Sequence, residues 1–278
     1  MRFVPIRAIA VLCFATASAA AGAASIFLTG HDPDFHATLG GNTTGAQDLI
    51  TTGVDFVTDP TFNVFAAGGV SRFLFVESNI PVPGGHTVGR NGVIAAGFAQ
   101  GTDFVAADAS TLNAQLDLLG TDYDAIVVAS DFGGILTSAE LDILNARSAD
   151  IISFLNAGGG IFAMAESDGG AHLTTGSDLF GYLPFVVSSS QLDQSEIGNT
   201  VTAFGSSLGL TNNDVNGNAS HNIFNSAGTL NVVDRDAAGH ILTIAGHVDR
   251  VPNPTPEPAT LLLLGIGLAA AAGLRRQR

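Results

Sequence analysis

The residues most able to do chemistry in this 278-residue chain are histidines and carboxylates, and they crowd together in Gly30-His31-Asp32-Pro33-Asp34-Phe35-His36. Two imidazoles and two carboxylates within six positions offer nitrogen and oxygen ligands to a divalent cation, with His31, Asp32 and His36 as the metal candidates. Asp32 and Asp34 equally suit a turn around Pro33, because short carboxylates accept hydrogen bonds from nearby backbone N–H groups. No His-Glu-x-x-His spacing accompanies them. A second group is Ala165-Glu166-Ser167-Asp168-Gly169, with His172 close behind. Ser167, His172 and Asp168 are of the types a nucleophile, base and orienting acid require. A triad is an arrangement in space, however, and the Gly-x-Ser-x-Gly frame is absent. A third group, Asn212-Asn213-Asp214-Val215-Asn216-Gly217-Asn218, alternates oxygen-bearing side chains around a glycine as calcium loops do. It lacks the full aspartate pattern and the distal glutamate, so it reads equally as a turn-rich loop.

These groups need a scaffold, and the hydrophobic pattern supplies one. Ser25–Thr29, Arg72–Val76, Phe104–Ala106, Tyr123–Ala129 and Gly160–Ala165 read as short strands, of which Tyr123–Ala129, continuous and β-branched, is the clearest buried one. Tyr182–Val187, Leu230–Val233 and Ile241–Ala245 are further strand candidates. Helical patterns lie near Ala46–Ile50, Gly92–Phe98 and Thr111–Leu119. The best helix follows Thr137-Ser138-Ala139-Glu140, a capping box, with Leu141, Leu144, Ile151, Ile152 and Leu155 on one stripe and Gly158 at its stop. Segments 166–180 and 188–228 are rich in Gly, Ser, Asn and Asp and read as long loops. Strands alternating with helices predict a mainly parallel sheet covered on both faces.

Ligands in such sheets sit beyond the carboxyl ends of the strands. His31, Asp32, Asp34 and His36 follow the first strand, Glu77 and Ser78 the second, and Asp108 the third. Ser130 and Asp131 follow Tyr123–Ala129, and Glu166, Ser167 and Asp168 follow Gly160–Ala165. His31, Asp32, Asp34, His36, Glu77, Asp131 and Asp168 are therefore the candidate ligand-binding residues, although loops at strand ends are polar in any case.

The stretch from Tyr123 to Ser167 resembles a class I glutamine amidotransferase-like domain: a YDAIVV strand, a Gly-containing loop, a long helix, and a Gly-Gly-led strand entering a sharp elbow. The resemblance covers about 45 residues and implies a flavodoxin-like α/β three-layer sandwich. In that family the elbow carries a catalytic cysteine, a position that falls here on Ala165 or Glu166. The chain's one cysteine is Cys13, inside the N-terminal apolar run. Without a thiolate, amidotransfer by that mechanism is excluded. The resemblance also implies a late histidine near the elbow, a place His221 matches by position. Glu166, Ser167 and His221 are the catalytic candidates that remain.

The ends carry addresses. Residues 1–24 read as a secretory signal: Arg2 and Arg7, an apolar run from Ala8 to Ala20, and small residues Ala21-Gly22-Ala23 for cleavage. At the other end a Pro-rich spacer leads into Pro256-Glu257-Pro258, then sixteen uncharged residues, 259–274, then Arg275-Arg276-Gln277-Arg278. As a helix the uncharged run is about 24 Å long, short against a hydrocarbon core of about 30 Å. The arginines hold its end in the cytoplasm and leave the domain outside. This tripartite end resembles the PEP-CTERM sorting domain. The resemblance implies recognition by an exosortase-type peptidase, transient anchoring in the inner membrane, and a Gram-negative host that makes extracellular polysaccharide, a possible partner. Export itself implies the secretion translocon and a signal peptidase.

Residues 25–255 hold five arginines against 24 carboxylates, a net charge of −19 that repels nucleic acid and anionic lipid. The expected organisation is a leader (1–24), an α/β domain (25–250), and a spacer and anchor (251–278). The expected function is an exported surface or matrix protein with a non-catalytic ligand- or partner-binding domain. The alternatives are an extracytoplasmic, glycan-directed hydrolase using His31, Asp32, His36 and Glu166, with or without a divalent metal, and a purely structural matrix component.

Overall fold

The computed structural model describes residues 23–79, 89–167, 172–195 and 197–249. Most of the leader, Asp168, Pro256-Glu257-Pro258 and the apolar run 259–274 lie outside the described residues. Among the described residues no helix is long and apolar enough to cross a membrane.

Apolar runs become strands wherever both faces can be covered. In chain order the first half comprises β1 (Ala24–Thr29), α1 (Pro33–His36), α2 (Thr43–Thr58), α3 (Val64–Ala67), β2 (Phe73–Val76), α4 (Gly89–Ala95), β3 (Phe104–Ala107), α5 (Leu112–Leu116) and β4 (Ala125–Val128). The second half comprises α6 (Ser138–Ala146), α7 (Ser148–Asn156), β5 (Gly160–Ala163), β6 (Ser189–Ser195), β7 (Thr200–Val201), α8 (Ala203–Ser207), β8 (Ala219–Phe224), β9 (Asn231–Arg235) and β10 (Ile241–Val248). Every residue of β1, β2, β4 and β5 is buried, as two covered faces require.

The two faces are sorted by side-chain alternation. Ile26, Leu28, Leu74, Val76, Ile126 and Val128 point to the layer of α5, α6 and α7. Phe27, Phe73, Phe75 and Val127 point to α2 and α4 on the other side. Each such side chain contributes roughly 1.5–3 kcal/mol through removal from water. The result is a three-layer mixed α/β sandwich.

The sheet order is β3-β2-β4-β5-β1-β10-β8-β6, with β9 on β10 and β7 on β9. The strands from β3 to β1 pair in parallel, whereas those beyond β1 pair antiparallel. A flavodoxin-like sheet has the order 2-1-3-4-5. Here the parallel half runs 3-2-4-5-1, so the first strand closes that half instead of standing inside it.

Three local expectations change. Tyr182–Val187 is not a strand, and Pro184 at its centre has no N–H to give to a ladder. Segment 188–228 contains β6, β7, α8 and β8, built from polar residues that carry no apolar alternation. The long helix is two, because Arg147 takes φ −98° and ψ 15° between α6 and α7. Its guanidinium reaches Asp117 (2.6 Å), Asp150 (2.6 Å) and the Asn113 carbonyl (3.0 Å). The capping box at Thr137 and Glu140 forms as its sequence indicates. Ala24, counted with the leader above, opens β1 and pairs with Val248.

Candidate functional site

Four parallel strands end on one line. Val76, Val128, Ala163 and Leu28 are neighbours in register, so the loops that follow them emerge side by side. The chain leaves β2 for β3 on one side and returns to β4 on the other. That reversal makes the carboxyl ends of β2 and β4 the switch point at which open α/β sheets place their ligands.

Asp32 lies at the heart of this edge, 1% exposed. Its Oδ1 is 3.3 Å from His36 Nε2 and its Oδ2 is 3.2 Å from His221 Nε2. His221 comes from β8, whose backbone is held against the turn that follows β1: its N–H donates to the Gly30 carbonyl at 2.8 Å. Gly30 permits this approach, because a Cβ there would overlap the Asn222 carbonyl. The His221 ring stacks on Phe132, with centroids 4.1 Å apart and planes at 20°. At His36 the Ala219 N–H donates to Nε2 (3.3 Å), which makes Nε2 an acceptor and assigns the ring proton to Nδ1, facing the Leu39 carbonyl. Asp32 Oδ1 is thus a buried acceptor with no hydrogen-bond donor.

Asp34 sits at this switch point, fully buried. It accepts the Ser130 hydroxyl at 2.6 Å and the Ser130 N–H at 2.9 Å. Burial pushes its carboxyl up to about 7, against the opposing pull of both Ser130 hydrogen bonds. The fit depends on missing side chains: a Cβ on Gly134 would overlap Asp34 Oδ2, and one on Gly92 would overlap the Asp34 carbonyl. The same loop holds Ile135 at φ 140°, a conformation that costs a β-branched residue about 1–3 kcal/mol. Ile135 is held there because its carbonyl accepts the Ser78 N–H (2.8 Å) and its own N–H donates to the Ser130 carbonyl (2.9 Å). Glu77 accepts from Arg90 through Nε and, at 3.1 Å, through the backbone N–H. Burial raises the Glu77 carboxyl, and the Arg90 guanidinium opposes the rise.

At the elbow Ala165 and Glu166 occupy the place a nucleophile would take. Glu166 turns inward, where it accepts the Phe180 N–H at 2.6 Å and the Tyr182 hydroxyl. Burial pushes it up to about 8. Ser167 donates its hydroxyl to Asp131 at 3.0 Å, and its N–H does the same. Burial pushes Asp131 up to about 7, while the two Ser167 bonds and the nearby His221 pull it down. His172 Nδ1 faces the Asp131 carbonyl, not Ser167. The Ser167–His172–Asp168 triad is therefore not assembled by the described groups.

Of the metal candidates, Asp32 and His36 stay together and His31 turns elsewhere. His31 Nε2 pairs with Asp234 (3.0 Å), away from Asp32 and His36. Among the described residues, no three His, Cys, Asp or Glu side chains are grouped to hold a metal ion. The hydrolase set separates too, since His31 faces Asp234 and Glu166 faces Tyr182. Asp108 serves its own turn, accepting from Ser110 and Thr111. The 212–218 loop satisfies itself, with Asp214 accepting from Thr211 and Asn216 donating to the Asn199 and Asn212 carbonyls.

Asp234, Tyr182, Phe132, Arg90 and the glycines around Asp34 were not foreseen. Ser-Asp-Phe-Gly-Gly directly after a buried strand was the available signal for Phe132 and the glycine cradle. Asp234 and Tyr182 gave no local one.

The PEP-CTERM protein-sorting motif matches residues 254–277. No curated protein matches the chain. The motif supports an exported protein that is sorted by an exosortase and transiently anchored in the membrane.

Proposed function

We propose that the sorted chain is an extracellular binding module whose carboxyl edge receives a neutral, polyhydroxylated ligand of the glycan type, without covalent catalysis. The observation that carries this reading is Asp32: a buried carboxylate between two imidazoles, with one oxygen lacking a donor. A sugar hydroxyl supplies the missing donor, and the partly exposed Phe132 stacks on the His221 ring that meets Asp32. The net charge of −19 disfavours acidic polymers as partners. Glu166 sits at the nucleophile's position but serves Phe180 and Tyr182, and no cysteine follows the leader. Affinity electrophoresis in gels containing a neutral exopolysaccharide tests the reading. Wild type should be retarded and Asp32→Asn should not, and neither should release ammonia from glutamine. Ammonia release by the wild type would overturn it.

One observation favours a second reading, general acid–base hydrolysis of a glycan. Burial pushes the carboxyls of Asp34 and Asp131, both at the carboxyl edge, up to about 7, the range in which a general acid or base works at neutral pH. New reducing ends with a bell-shaped pH profile would establish that reading in place of the first.

A further inference from the structure

A concavity lies at the opposite, amino edge of the sheet, where β2, β3 and β4 begin. It has a volume of about 500 Å³, within the range of small-molecule sites. Val54, Val70, Phe73 and Phe98 form apolar walls, and Asp103 and Asp124 supply its two carboxyl groups.

Asp124 is the unusual member. It lines the cleft yet is 1% exposed, and its Oδ1 has no hydrogen-bond donor. Its backbone is fully engaged. The N–H donates to the Arg72 carbonyl at 2.9 Å, and the carbonyl accepts the Asn63 side-chain amide at 2.7 Å and the Gly160 N–H at 3.2 Å. Those bonds fix the residue at the start of β4 and leave one carboxyl oxygen, Oδ1, without a donor. Arg72 does not neutralise it: that guanidinium lies 3.6 Å from Asp122 and over the Tyr123 ring. Asp103 spends one oxygen on the Ala99 N–H at 2.7 Å. A buried carboxyl acceptor without a donor is costly, and an incoming donor recovers that cost. Among the described residues, no Lys, Arg or His lines the cleft.

We propose that this amino-edge cleft is a second binding site, for a small apolar molecule carrying one cationic amine. The apolar walls take the hydrocarbon body, and the ammonium group meets Asp124 and Asp103. The site is separate from the carboxyl edge and does not rest on the glycan reading.

Titration calorimetry of the purified full chain with 2-phenylethylamine, against the neutral 2-phenylethanol and the anionic 3-phenylpropanoate, tests this. The amine should bind at least ten-fold tighter than the alcohol, and the anion should not bind. Asp124→Asn should abolish the preference for the amine. Val70→Phe, which fills the cleft and leaves the carboxyl intact, should remove binding of both amine and alcohol, and it stands in should Asp124→Asn fail to fold. Equal binding of amine and alcohol, undiminished binding in Val70→Phe, or no binding of the amine would each overturn the proposal.

Discussion

Replacing Glu166 with Gln should make the protein more stable at neutral and alkaline pH and leave it unchanged in acid. The side chain is fully buried, with Phe180 N–H and Tyr182 hydroxyl as its partners, and burial pushes its carboxyl from the usual 4.5 up to about 8. A raised folded-state value means that the folded protein holds this proton more tightly than the unfolded chain does. Stability from this group is complete below pH 4.5, declines as pH rises from 4.5 towards 8, and then levels off. At about 1.36 kcal/mol per unit, ionising the unfolded chain at pH 7 costs the wild type about 3 kcal/mol. Gln copies the protonated acid: its oxygen accepts the Phe180 N–H and its NH₂ donates to the Tyr182 oxygen. Urea denaturation of both proteins between pH 4 and 8.5 measures the difference. Glu166→Gln should gain roughly 4 kcal/mol over wild type at pH 8 and less than about 0.5 kcal/mol at pH 4.5. A pH-independent difference, or a loss at pH 8, would refute the assignment of a buried proton to the elbow.

Other outcomes follow from the same geometry. Gly134→Ala drives a methyl group into Asp34 Oδ2 and should break both Ser130 hydrogen bonds, lowering stability by about 3 kcal/mol or more in urea titration. Thr137→Ala removes one half of the capping box of α6 and should cost about 1 kcal/mol by the same assay, leaving ligand binding unchanged. Replacing Pro256-Glu257-Pro258 by Ala-Ala-Ala, within the matched sorting motif, should leave an unprocessed form in the membrane fraction on immunoblots.

The elements that build the site were legible because their signals are local. β1, β2, β4 and β5 are continuous apolar runs, and continuity alone marks a strand buried on two faces. Once those strands were placed, the loops after them named Asp32, Asp34, Glu77, Asp131 and Glu166 together. What remained hidden was pairing. His31 meets Asp234, 203 positions away, and nothing around either residue marks the other. His221 reaches Asp32 because β8 adds antiparallel to a sheet whose parallel half alone was visible, and β8 itself is too polar to read as a strand. Tyr182 was read as part of a strand, whereas its hydroxyl serves Glu166. The strand order was hidden for the same reason, because β1 joins β5 and β10 through contacts that periodicity does not encode.

The claim that the carboxyl edge binds a glycan without cleaving it comes down to Asp32. Saturation-transfer NMR of wild type and Asp32→Asn with a neutral oligosaccharide, followed over hours for new reducing-end signals, reads binding and turnover in one sample. Saturable transfer in wild type, its loss in Asp32→Asn, and unchanged reducing-end signals are the expected result. Accumulating reducing ends, or equal transfer in the two proteins, would contradict it.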